Sequence, residues 1–97
     1  MRHFHRSQLQ PDEVLASADA FFPTIGLRQS AKADRTRTFQ GPLGVLTMSV
    51  KKEGGHYTFI EVHTDQMGES RLDRNAKKFF VELHRTEQPS YRLQASY

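Results

Sequence analysis

Cysteine is absent from the 97-residue chain, which excludes disulfides, thiolate zinc sites and thiol nucleophiles together. Long apolar runs are absent too. A secretory signal needs roughly 7–15 consecutive apolar residues and a membrane span about 20, and behind the basic start Met1-Arg2-His3-Phe4-His5-Arg6 there is neither. The expected location is the cytoplasm, with no membrane contact. Internal repeats, low-complexity tracts and linkers are also lacking. The catalytic motifs fail one by one. No HExxH pair is present, and Gly41-Pro42-Leu43-Gly44 and Gly54-Gly55 lack the helix and lysine of a phosphate-binding loop. No serine or threonine has a nucleophile context. The sequence therefore assigns no catalytic residue, no cofactor and no metal.

What is present describes one small globular domain over residues 1–97. The hydrophobic share is 36% and the charged share 26%, outside the range of disordered chains. The net charge of +3 is unevenly spread: Arg28, Lys32, Arg35 and Arg37 cluster with Asp34 alone, whereas Asp12, Glu13 and Asp19 mark an acidic stretch. Such unevenness permits contact with a polyanion and is also common on ordinary surfaces.

Hydrophobic spacing sets the elements. Arg2 to Gln8 reads as a short strand with Phe4 as its large apolar residue. Pro11 suits a first helical position, Glu13 can reach back to the cap, and Leu9 can act as a staple on Val14. Val14, Leu15, Ala18, Phe21 and Phe22 then repeat at helical spacing, and Pro23 and Gly26 end the helix near Phe22. Ala31 to Gln40 reads as one strand, with Arg35, Arg37 and Phe39 on a shared face. After the turn at 41–44, Leu46, Met48 and Val50 alternate with Val45, Thr47, Ser49 and Lys51. Glu53-Gly54-Gly55 supplies a tight hairpin, and His56 to Thr64 forms the next strand. Ser70, with Asp73 in reciprocal position, caps a second helix. Leu72, Ala76, Phe79, Phe80 and Leu83 line one side of it, and Arg71, Arg74, Lys77, Lys78 and Arg85 the other. Residues 86–97, with Tyr91, Leu93, Ala95 and Tyr97 alternating, read as an edge strand or a flexible tail.

The order is (β)-α-β-β-β-α-(β), and the expected fold class is α+β. An antiparallel three- to five-stranded meander carries two helices on one face, because each helix has one apolar side and a meander offers one face to cover. This element order resembles the helix-grip and TATA-binding-protein-like folds, a likeness that carries no residue assignments with it.

On the strand from Tyr57, the period of two divides Ile60 and Val62 from Tyr57, Phe59, Glu61, His63 and Asp65. If Ile60 and Val62 face the helices, two aromatics stand on the open side, where an apolar patch marks a contact surface. A second subunit, the segment with Tyr91 and Tyr97, or a ligand or nucleic acid could cover them. The leading expectation is a non-enzymatic, homodimeric interaction module that uses this open face. Its partner-binding candidates are Arg35, Arg37, Tyr57, Phe59, Glu61 and His63. A nucleic-acid-binding module is the alternative, with Arg35 and Arg37 on phosphates and Tyr57 and Phe59 on bases. A small enzyme or ligand carrier built on Glu61 and His63, helped by His56, is the third. Glu61, His63 and Asp65 also suggest a metal, but alternate strand residues lie roughly 6.5–7 Å apart, so a solvated polar rim is the simpler account. His3, His5, His56 and His84 read as surface or structural groups.

Overall fold

A computed structural model describes residues 1–87. Five strands and two helices follow one another as β1 (Arg2–Ser7), α1 (Pro11–Phe21), β2 (Arg28–Lys32), β3 (Thr36–Gly41), β4 (Gly44–Glu53), β5 (Tyr57–Thr64) and α2 (Arg71–Glu87). The strands form one antiparallel sheet in the order β1-β5-β4-β3-β2. β2 to β5 are a meander, and the chain returns its first strand to pair with its last. The α+β fold with its helices on one face is the observed architecture. Among the described residues no helix is long and apolar enough to cross a membrane.

Helix α1 starts as its sequence requires. Pro11 occupies the first turn, and the Glu13 carboxylate accepts the main-chain N–H of the capping residue Gln10 at 3.0 Å. A 3-10 turn over Phe22–Ile25 follows, and Gly26 ends it at φ +86°, where a side chain would be strained. In α2 the Ser70 hydroxyl accepts the main-chain N–H of Asp73 at 3.0 Å, which is the expected cap.

The core joins both helices to one face of the sheet. Val14, Leu15, Ala18 and Phe22 from the first helical segment meet Leu72, Ala76, Phe79 and Leu83 from α2. Beneath them lie Phe39, Leu46, Met48, Val50, Ile60 and Val62, all buried. Three rings form the centre: Phe22 sits 5.0 Å from both Phe39 and Phe79. Each fully buried phenylalanine contributes roughly 2–3 kcal/mol.

Two expectations are corrected by this architecture. The stretch from Ala31 to Gln40 is not one strand. Ala33, Asp34 and Arg35 make a turn between β2 and β3, closed by the Ala33 N–H on the Thr36 carbonyl at 3.1 Å. Asp is a turn former, but β2 is exposed along its whole length, so it has no apolar alternation to announce it. The element order thus becomes β-α-β-β-β-β-α. Second, Arg37 does not stand on the open face. Arg37 pairs across the sheet with Met48, which pairs with Val62, so it lies on the helix side and is only 7% exposed. The expected strand or tail at 86–97 begins inside α2 for Thr86 and Glu87, and its remainder lies outside the described residues.

Candidate functional site

The pleat sorts the sheet into two surfaces, and the helices cover only one. Cross-strand pairing places three rows on the other. Arg6, Phe59 and Lys51 form one row, Phe4, Glu61, Ser49 and Thr36 the next, and Arg2, His63, Thr47 and Thr38 the third. Tyr57 and Glu53 oppose each other beyond the first row.

Two aromatic rings meet on the β1 side of this outer face. Phe4 and Phe59 are diagonal neighbours on adjacent strands, with centroids 5.6 Å apart and planes inclined by 26°, an offset-stacked arrangement. The Arg6 guanidinium lies 5.1 Å from the Phe59 centroid and the Lys51 ammonium 5.8 Å, within cation–π range. Phe59 is partly shielded by these two side chains, but Phe4 is 55% and Tyr57 46% exposed. The apolar area therefore runs along the β1–β5 boundary, and among the described residues no element covers it.

Charges of both signs border the rings. Arg6 Nε donates to Glu53 Oε1 at 2.9 Å, and Arg2 Nε lies 4.0 Å from Glu61. All four side chains are substantially exposed, so each pair contributes little stability and can exchange partners cheaply. Four cations (Arg2, Arg6, Arg28, Lys51) stand against two carboxylates (Glu53, Glu61), so this face carries both signs with a positive excess.

The sequence-derived candidates divide accordingly. Tyr57, Phe59, Glu61 and His63 share the outer face as expected. Arg35 is exposed in the β2–β3 turn, away from the rings in the sheet order. Arg37 is withdrawn into the helix side, where its Nε donates to Asp19 Oδ1 at 3.1 Å. Its Nη1 donates to the carbonyls of Ala33 and Thr36 at 2.7 and 2.9 Å. It fastens α1 to the β2–β3 turn. Asp65 lies past the end of β5, and its Oδ1 accepts the Val45 N–H at 2.9 Å and the Gln66 amide at 2.8 Å. Those two bonds, the Val45 bond first, hold its carboxyl below the usual range. Asp65 closes the sheet end by holding the start of β4. Among the described residues no group of three or more His, Asp or Glu side chains could hold a metal ion. A shallow depression lined by Ser49, Lys51, Phe59 and Glu61 excludes His63, which stands exposed.

Several contributors were missed by sequence reasoning. Arg2, Phe4 and Arg6 belong to the outer face because β1 alternates strictly. The signal was present: His3, His5 and Ser7 are the complementary set, and only Phe4 drew attention as the apolar one. The histidines of β1 are not surface groups. His3 is buried, and its Nε2 donates to Asp73 Oδ1 at 2.8 Å. His5 stacks on Phe80 at 5.0 Å. Burial pushes its imidazole below 6.5, against the opposing influence of Glu87, with His84 adding to the lowering.

Asp73 collects a buried network. Ser70 Oγ donates to its Oδ2 at 2.6 Å, and Thr64 Oγ1 and His3 donate to Oδ1 at 2.7 and 2.8 Å. Burial alone would raise this carboxyl. The bonds from Ser70, His3 and Thr64 outweigh burial and hold it at about 2. The network ties β1, β5 and α2 together.

No protein-family model matches the sequence, and no curated protein matches it either. Geometry carries the functional reading.

Proposed function

We propose that this protein is a non-enzymatic interaction module that forms a homodimer through the outer face of its sheet. The observation that carries the reading is the stacked Phe4–Phe59 pair with Tyr57 on the same strand as Phe59, on the side opposite both helices and covered by no other element among the described residues. Exposed aromatics in a contiguous band favour a protein contact.

The face has the right extent. At about 4.8 Å between strands and 3.4 Å per residue, five strands of this length span roughly 24 by 25 Å. That is about 600 Å² before side-chain relief, near the 800 Å² each partner gives to a standard interface. Its charge pattern also suits self-association. A two-fold axis sets the same patch against itself, so cations on β1 can meet the carboxylates of β4 and β5 in the partner.

The other two readings have less behind them. A nucleic-acid surface loses Arg37 to the interior and Arg35 to a distant turn, and Glu53 and Glu61 repel a phosphate backbone. A small enzyme needs Glu61 and His63 enclosed together, and His63 is exposed outside the depression that Glu61 lines.

Sedimentation equilibrium tests the proposal. The wild-type chain is expected to show a concentration-dependent monomer–dimer equilibrium, and Phe59→Glu to sediment as a monomer with an unchanged circular dichroism spectrum. A wild-type chain that stays monomeric at the highest concentration reached would overturn it.

A further inference from the structure

We infer that the free edge of β1 is a docking site for an extended acidic peptide, which adds to the sheet as a sixth strand. The inference concerns the main-chain groups at the rim of the sheet, and it shares the Arg2, Phe4 and Arg6 side chains with the outer face.

The main-chain register decides which groups face outward. Met1 and Thr64 exchange both of their main-chain hydrogen bonds, at 2.9 and 2.8 Å. In an antiparallel ladder such hydrogen-bonded pairs alternate with pairs that are not bonded to each other. With Arg2 opposite His63 and Ser7 opposite Thr58, the bonded pairs toward β5 continue at His3, His5 and Ser7. The N–H and C=O groups of Arg2, Phe4 and Arg6 therefore point away from β5. Among the described residues β1 is the last strand on its side of the sheet, and nothing there hydrogen-bonds those six groups. A row of unpaired main-chain donors and acceptors is a template for another strand.

The two edges of this sheet differ in fitness for that task. β2, at the opposite edge, has an irregularity between Gln29 and Ala31, and a bulge there bends the strand and interrupts pairing. β1 runs in unbroken register over six residues. Only β1 offers a regular ladder.

Side chains select the occupant. The three residues with outward main-chain groups also carry their side chains on the outer face, as cation, aromatic, cation. A strand paired here sets its own alternate residues directly beside them. A second β1 is a poor fit, because the antiparallel register that uses all three residues sets Arg2 against Arg6 twice. The chain's own residues 88–97 contain no Asp or Glu to meet the two arginines. An acidic–apolar–acidic alternation satisfies Arg2, Phe4 and Arg6 together. The present partners of the arginines, Glu61 and Glu53, are only partly buried and easily exchanged.

Fluorescence polarisation with three labelled peptides, against the full-length chain, tests this. The first is a seven-residue strand-forming peptide with Glu at its second and sixth positions and Leu at its fourth. The second replaces both Glu by Lys. The third keeps the Glu residues and N-methylates alternate main-chain amides, which removes the ladder and leaves the charge. The first peptide is expected to bind, and the other two to bind about tenfold more weakly or worse. The double variant Arg2→Glu/Arg6→Glu, both sites being exposed, is expected to invert the preference between Glu and Lys peptides. No binding of the acidic peptide up to about 1 mM, equal binding of the N-methylated one, or equal binding of the Lys one would overturn the inference. Displacement of the acidic peptide by a single-stranded oligonucleotide at equal affinity would also overturn it, in favour of a phosphate backbone as the occupant. Because polarisation reads the peptide and sedimentation reads the protein's own mass, failure of one does not mimic failure of the other.

Discussion

The two faces of this sheet break the usual sorting of side chains in opposite directions. On the helix side, polar and charged groups are buried: His3, Thr58, Thr64, Arg37 and Asp73. On the outer side, aromatic groups are exposed: Phe4 and Tyr57. These five inner groups are satisfied by protein, although the Nε2 of the neighbouring His5 is buried with no hydrogen-bond partner among the described residues. Asp73 accepts from three side chains and a buried arginine finds a carboxylate and two carbonyls. Among the described residues, the outer exceptions have only the Phe4–Phe59 stack and leave Phe4 and Tyr57 largely exposed. A buried polar group with all its partners is a structural fastener, whereas an apolar group left in water is an unmet contact. The difference teaches which departures from the pattern serve stability and which serve recognition.

Substitutions can break that contrast. The largest expected effect is in the inner aromatic centre: Phe79→Ala should cost about 3–5 kcal/mol, a large share of the stability of a domain this small. Urea denaturation measures it. Next comes Asp73→Ala, which strands Thr64 and His3 without an acceptor. A loss of about 2–4 kcal/mol is expected, and Asp73→Asn should recover part of it. On the outer face, Phe4→Ala and Tyr57→Ala should move monomer stability by only about 0.5 kcal/mol while weakening self-association. Equal destabilisation from both faces would dissolve the comparison.

Acid sharpens it further. Asp73 is held at about 2 in the folded state against 3.8 otherwise. A carboxyl with a depressed pKa stabilises the fold above its unfolded value and loses that contribution as pH falls through the folded value. The wild-type chain should therefore lose stability between about pH 4 and pH 2. Asp73→Asn should show a shallower slope across that window in acid titrations followed by circular dichroism. An unchanged slope would remove Asp73 from its role as the inner fastener.

Much of this organisation was legible in the chain. The alternation Thr58, Ile60, Val62, Thr64 against Tyr57, Phe59, Glu61, His63 divided β5 correctly, because one face is fully buried and the period of two leaves no alternative register. Both helices were equally clear, since their apolar residues repeat at helical spacing and their caps are local. What failed depended on distant partners. Arg37 shares a face with Phe39, and Phe39 belongs to the core; the arginine is tolerated there only because Asp19, from another element, reaches it. His3 looked like a terminal surface group for the same reason, as its acceptor lies 70 residues away. β2 was hidden because a strand exposed on both faces has no hydrophobic signature. The edge at β1 needed the register, which no local pattern supplies.

Hydroxyl-radical footprinting at low and high protein concentration tests the contact role of the outer face most directly. Phe4 and Tyr57 should become protected as concentration rises, while Met67, 94% exposed in the loop before α2, stays equally reactive and serves as the internal reference. Oxidation of Phe4 and Tyr57 in constant proportion to Met67 at every concentration would contradict the account.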